Sequence, residues 1–278
     1  MAKKRPVVAI MYDFDGTLAP GNMQEYNFIP KLKMKSEEFW NEFKELSKKN
    51  EMDMILAYMF NMLKRANENR IAVKRKTFFD YGKGLPLYKG VKDWFERINE
   101  YGMAKGANIQ HYVISSGLKE MIEGTPIVKN FKETFASYFY YDHNEIAVWP
   151  AVALNYTSKT QFLFRINKGC LDISDDTMIN KYIENEKRAI KFENMIFIGD
   201  GETDVPCMKL VKVNGGCSIA VYKPRTRKGK ALELIDENRV DFVAPADYSE
   251  GKRIEKIVKS VIDKILAVEK LNDLKISN

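Results

Sequence analysis

The run Val7-Val8-Ala9-Ile10-Met11-Tyr12-Asp13-Phe14-Asp15-Gly16-Thr17-Leu18 constrains this chain more than any other stretch. A short apolar segment rich in β-branched residues reads as a buried strand. It ends on two acids one residue apart, followed by Gly16 and Thr17. Carboxylates at the end of a buried strand are costly unless a cation or a reaction meets them. Open α/β sheets place their ligands at that end, so this strand predicts a metal and a chemical step. Alternation along a strand puts Asp13 and Asp15 on one face and Phe14 on the other. Gly16 lets the chain turn away, and Thr17 can cap the next segment. In isolation, an Asp-Gly turn closing a strand would look the same.

Acids elsewhere decide between the two readings. Met195-Ile196-Phe197-Ile198 is a second apolar strand, ending in Gly199-Asp200-Gly201-Glu202-Thr203-Asp204. An acid between two glycines lets backbone and carboxylate approach a cation closely. A third strand, His111-Tyr112-Val113-Ile114, ends in Ser115-Ser116-Gly117. Hydroxyls and free N–H groups there suit an anion, the more so if a helix begins at Leu118. Lys159 opens a segment with Phe162, Leu163 and Ile166 at helical spacing. Lys168 competes with it, but a lysine beside Gly169 has the position of a charge at a helix C-terminus.

These motifs occur in the order found in the haloacid dehalogenase superfamily, which the chain resembles through Asp13-Phe14-Asp15-Gly16-Thr17, Ser115, Lys159 and Gly199-Asp200-Gly201-Glu202-Thr203-Asp204. The resemblance covers residues 7 to about 245, and the stretch 123–150 is most similar to the phosphoserine-phosphatase-like branch. It implies an aspartate-nucleophile phosphohydrolase with Mg²⁺ as cofactor. Asp13 would attack phosphorus, and Asp15 would serve as acid and then base. Mg²⁺ would sit on Asp13, the backbone carbonyl of Asp15, and Asp200, with Asp204 behind them orienting a bound water or Lys159. Ser115, Ser116 and Lys159 would hold the phosphate. An acid at position 15 favours phosphoryl transfer over dehalogenation, because a departing halide needs no proton. Phosphoserine phosphatases carry a lid-side glutamate for the substrate amine; the comparable stretch here is Asn22-Met23-Gln24-Glu25. A small phosphorylated metabolite is therefore the expected substrate, without commitment to phosphoserine. A phosphotransferase would share every residue.

The resemblance implies a Rossmann-like, mostly parallel α/β sheet with helices on both faces, formed by residues 1–20 and 86–278. A helical cap over residues 21–85 would be inserted into it. Phe39, Trp40, Phe43 and Leu46 trace one helical face there, and Met54, Ile55, Tyr58, Met59, Met62 and Leu63 another. Such stripes are more often packing core than substrate lid, and most of this one is expected to be core. Residues 135–152 read as a β-hairpin turning at Asp142-His143-Asn144-Glu145, beside the sheet. Ser218 to Tyr222 and Val240 to Ala244 read as strands, Ile254 to Leu266 as a closing helix, and 170–192 as a surface excursion.

Length suits one large core plus a smaller module at 278 residues. The three cysteines, Cys170, Cys207 and Cys217, are scattered and odd in number. They fit a reducing compartment, and the chain is expected to be cytoplasmic. No run of about 20 apolar residues exists to span a membrane, which excludes a transport ATPase. His111 and His143 lack partners at metal spacing. The net charge of +7 and the run Lys223-Pro224-Arg225-Thr226-Arg227-Lys228-Gly229-Lys230 raise a nucleic-acid partner around a vestigial site. No aromatics interleave that run, so a solvated basic loop is the expectation.

Overall fold

The structure, a computed structural model, describes residues 5–226 and 229–276. β1 (Val7–Tyr12) is followed by α1 (Gln24–Lys31), α2 (Ser36–Asn50), α3 (Met54–Glu68) and α4 (Arg75–Lys83). Next come α5 (Val91–Lys105), β2 (Asn108–Leu118), the short α6 (Lys119–Glu123), β3 (Phe131–Tyr141) and β4 (Ala147–Val152). The remainder runs α7 (Lys159–Lys168), α8 (Asp176–Asn180), β5 (Met195–Gly199), α9 (Val205–Val213), β6 (Cys217–Tyr222), α10 (Gly229–Asp236), β7 (Phe242–Pro245) and α11 (Arg253–Ile276).

Among the described residues seven strands form one sheet in the order β4-β3-β2-β1-β5-β6-β7, parallel throughout except for the antiparallel β3–β4 pair. The expected α/β architecture is therefore present. Its hairpin is more closely integrated than the sequence suggested, because β3 begins at Phe131 and pairs in parallel with β2 as a full member of the sheet. Two other boundaries shift. The last strand is Phe242–Pro245, two residues later than its apolar run suggests, and β2 carries strand pairing through Leu118 before α6 begins.

Alternation along β1 divides the core. Val8, Ile10 and Tyr12 face the apolar cluster that holds α5 and α11, and Phe14 continues that row. Ala9 and Met11 face the opposite cluster, with Phe162, Leu163 and Ile166 of α7 and Met208 of α9. Both clusters are fully dehydrated at their centres, which is the main drive to fold.

The helices α1–α4 lie between β1 and α5 in the chain. They do not form a separate core: Phe28, Phe39, Met59 and Phe78 belong to the same apolar cluster as Val8 and Trp94. α4 packs tightly against α6, with one aromatic contact to β3. Phe78 stacks on Phe139 of β3 at 5.8 Å, and a Cβ on Gly82 would meet Met121 O of α6 at 1.9 Å. A Cβ on Gly124 would likewise meet Phe79 O at 1.9 Å. Only glycines permit this approach of two backbones.

Among the described residues no helix is long and apolar enough to cross a membrane. All three cysteines are free and buried. In the basic run, residues up to Thr226 follow β6 and Gly229 opens α10, while Arg227 and Lys228 lie outside the described residues.

Candidate active site

The chain crosses from one side of the sheet to the other at β1, whose neighbours are β2 and β5. Register sets Tyr12 level with Val113 and with Ile198. Asp13 thus stands one residue beyond that level, and Ser115 and Asp200 two. Three segments singled out from sequence converge at the carboxyl edge, where an open α/β sheet takes its ligands.

Asp13 extends the row of Ala9 and Met11, the row that packs on α7. That placement brings it to Lys159, the first residue of α7. Lys159 Nζ donates to Asp13 Oδ1 at 3.1 Å and to Asp204 Oδ1 at 2.8 Å, and its side chain is fully buried. Asp13 N donates to Ile198 O at 2.9 Å, which ties the acid's backbone to β5. Lys168, the competing lysine, is at the other end of α7, where its ammonium donates to the carbonyls of Ile179 and Lys181. It anchors the excursion instead of the site, and Gly169 ends the helix in the left-handed conformation.

Asp200 and Asp204 follow β5. Asp204 Oδ2 accepts from Asp200 N at 3.2 Å. One carboxylate oxygen from each of Asp13, Asp200 and Asp204 lies within 4.8 Å of the others. Gly16 has φ +72°, and a Cβ there would lie 2.0 Å from Asp200 Oδ2. Glycine is needed at position 16 for both its conformation and its missing side chain.

Asp15 is half-buried and accepts from Met23 N at 3.1 Å. Its carboxyl is held well above the usual carboxylate range, first by desolvation and then by the charge of Asp13. Asp200, exposed as a whole residue at the mouth of the pocket, is raised too, by desolvation of its carboxyl and then by Asp13 and Asp204. Asp204 is raised by desolvation and by Asp13, against the pull of Lys159. For Lys159, desolvation opposes the charge, but Asp13 and Asp204 overcome it and keep the ammonium above the ordinary lysine value. Acids crowd here beyond what one lysine can neutralise.

Ser115 is buried, and its Oγ accepts from Gly117 N at 3.1 Å. Ser116 Oγ is also buried and has no hydrogen-bond partner among the described residues. Both serines line a cavity of about 520 Å³ whose floor includes Asp13, Asp15 and Asp200. Two features of this cavity were not read from the sequence. Gln24 is buried in its wall, its Oε1 without a partner among the described residues, and Lys223 of the basic run is in the lining too. Nothing local marks Gln24; the only hint is its place in the 22–25 stretch.

The aromatic and methionine stripe divides. Phe39, Met59 and Met62 are fully buried core, whereas Trp40, Phe43, Met54, Ile55 and Tyr58 line the cavity. α3 contributes Met54, Ile55 and Tyr58 to the lining. Its N-cap Asp53 accepts from Asn155 Nδ2 at 2.7 Å, just ahead of α7, and Tyr58 OH donates to Ser116 O at 2.8 Å. Glu25 does not line the cavity: its Oε1 accepts from Trp40 Nε1 at 2.6 Å and Asn22 Nδ2 at 2.8 Å. His111 is buried away from the site, and His143 bonds only its neighbour Asn144 in the turn of the hairpin.

A family model for haloacid dehalogenase-like hydrolases matches residues 10–209. An uncharacterized protein of Borreliella burgdorferi is 29% identical over 293 residues, covering 94% of this chain and 100% of that one. Among solved structures, a substrate-bound phosphoserine phosphatase complex is similar with a TM-score of 0.54 at 16% identity, over 94% of this chain and 99% of that one. A probable phosphoserine phosphatase from Vibrio cholerae gives 0.54 at 11% identity, over 96% of this chain and 67% of that one. At such identities the structural likeness speaks for the fold. The chain belongs to the haloacid dehalogenase-like hydrolase family, and its fold is that of the phosphoserine-phosphatase-like branch.

Proposed function

We propose that this protein is a Mg²⁺-dependent phosphatase that hydrolyses a small phosphorylated metabolite through an aspartyl phosphate on Asp13. The observation that carries this reading is the pair of unlike carboxyls on β1's tip. Asp13 contacts a buried ammonium, while Asp15 is pushed toward its protonated form. Two acids held apart in this way can divide nucleophilic and acid–base work.

Asp13 attacks phosphorus, and the bond to the leaving oxygen breaks as Asp15 passes its proton to that oxygen. Asp15, now ionised, takes a proton from water, whose oxygen attacks the aspartyl phosphate; inorganic phosphate leaves and Asp13 is restored. Lys159 bears on the charge of the phosphoryl group from beneath, and the serines at 115 and 116 donate to its oxygens. The oxygen donors Asp13 and Asp200, close together behind Gly16 and short of neutralising charge, fit a hard cation. They and the backbone carbonyl of Asp15 would hold Mg²⁺, which when bound offsets the negative charge gathered around a phosphate dianion. Asp204 acts through Lys159.

In this reading residues 21–85 are the cap and 1–20 with 86–278 the core, and the cap excludes water from the reaction. Three free, buried cysteines suit work in the cytoplasm. The test is turnover of a panel of phosphorylated metabolites with Mg²⁺, run beside Asp13→Asn. Wild-type release of phosphate that the variant lacks is expected; equal rates in both proteins would overturn the mechanism.

A further inference from the structure

Every side chain that the helical insertion contributes to the cavity is uncharged. The wall facing the acids consists of Trp40, Phe43, Met54, Ile55 and Tyr58, with Gln24 and Asn22 beside them, the amide of Asn22 already donating to Glu25. Its rings touch edge to face, Trp40 to Phe43 at 5.5 Å and Phe43 to Tyr58 at 6.4 Å. Glu25, the one acid in the 22–25 stretch, is not in the lining; its Oε1 accepts from Asn22 and Trp40, two residues that are. The cation in the lining, Lys223, directly follows β6 and is not part of that wall.

Resting on the phosphatase reading above, we infer that the substrate is a phosphate monoester of an uncharged, ring-bearing alcohol that carries one hydrogen-bond donor. An ammonium or carboxylate on the leaving group would be desolvated against this wall with no opposite charge to receive it. An apolar ring gains by contact with the aromatic surface. The donor is required by Gln24 Oε1, which is buried and has no partner among the described residues. The cavity's size of about 520 Å³ lies within the range that encloses a small organic ligand.

The experiment compares four substrates with Mg²⁺ present. Acetyl phosphate is too small to reach the wall and reports the phosphatase reading alone. Against it are set 2-(4-hydroxyphenyl)ethyl phosphate, whose phenol supplies the donor to Gln24 Oε1, O-phosphoserine and phosphoethanolamine. The expected kcat/KM for the hydroxyphenylethyl ester exceeds that of both amine esters by about 100-fold, the scale of discrimination by an unpaired group in a closed site. Met54→Glu puts a carboxylate on the wall at an exposed helix N-terminus where an acid is well tolerated. Together with Gln24→Glu it is expected to narrow the gap to phosphoethanolamine about tenfold. Asp13-dependent turnover of acetyl phosphate with an amine ester equal to or better than the hydroxyphenylethyl ester overturns this inference alone. An unchanged gap in a folded Met54→Glu protein also overturns it. Failure to turn over acetyl phosphate overturns the phosphatase reading first.

Discussion

Lys159 and Asp204, 45 residues apart in sequence, form a wholly buried ion pair of 2.8 Å. The same ammonium reaches Asp13 at 3.1 Å. Removing it leaves two buried carboxylates facing each other without a counter-charge. For Lys159→Met we expect a loss of unfolding free energy of about 3–5 kcal/mol. The fall in kcat is expected to be on the order of 10²–10³. Urea titration and phosphate release measure the two; a variant as stable and as active as the wild type would show that the lysine balances nothing.

Gly16→Ala tests the cradle around Asp200. An alanine at φ +72° costs about 1–2 kcal/mol in backbone strain alone. Its Cβ also displaces the Asp200 carboxylate. Thermal melts should show the loss, and half-maximal activation should require about tenfold more Mg²⁺. A Mg²⁺ response identical to wild type would count against a role for Asp200 in holding the ion.

Asp15→Asn separates the acid role from the nucleophile. An amide cannot give a proton to the leaving oxygen. For an alkyl phosphate we expect kcat to fall about 10²–10⁴-fold. The loss should be much smaller for p-nitrophenyl phosphate, whose leaving group departs without a proton. Equal losses on both substrates would place Asp15 outside proton transfer in the first half of the cycle.

His111 lies in a buried chain of hydrogen bonds. Trp94 Nε1 donates to Tyr12 Oη at 2.8 Å, Tyr12 Oη donates to His111 Nδ1 at 3.0 Å, and His111 Nε2 donates to Asn99 Oδ1 at 3.0 Å. Burial lowers the imidazole's pKa from 6.5 to about 3. The unfolded chain therefore takes up a proton that the folded chain refuses, and this group's contribution to stability falls as pH drops below 6.5. At pH 5 the contribution is about 2 kcal/mol against folding. The raised carboxyls of the site act in the opposite sense, so the informative quantity is the difference between wild type and His111→Asn. We expect the gap in unfolding free energy between the two proteins to shift by that amount in the variant's favour from pH 8 to pH 5. A constant gap would mean that the imidazole is protonated in the fold.

The floor of the site was legible because strand tips announce themselves locally. Asp13, Asp15 and Asp200 each come after an apolar run within a few residues, and Lys159 is marked by the helical pattern it opens. What stayed hidden depends on angles and distant partners. Trp40 and Phe39 are adjacent in one amphipathic helix, yet one lines the cavity and the other is core; a stripe at helical spacing does not say where a cavity cuts into it. Gln24 and Ser116 matter through what they lack among the described residues, a hydrogen-bond partner, and that is a property of the folded surroundings. The hairpin's first arm joined the main sheet because Phe131 to Phe135 found β2 alongside, a pairing that spans chain no local pattern reports.

The contact between Gly82 and Gly124 has a consequence for how a ligand gets in. With Cα-level packing on both sides, α4 cannot tilt away without parting two backbones and unstacking Phe78 from Phe139. α3 is fastened by the hydrogen bonds from Asn155 to Asp53 and from Tyr58 to Ser116, each worth about 1 kcal/mol net. Met59 and Met62 of α3 are also sunk in the common core, so that helix stays in place as well. What can give way to an entering ligand is therefore side chains and not helices, Met54, the most exposed apolar side chain of the wall, foremost.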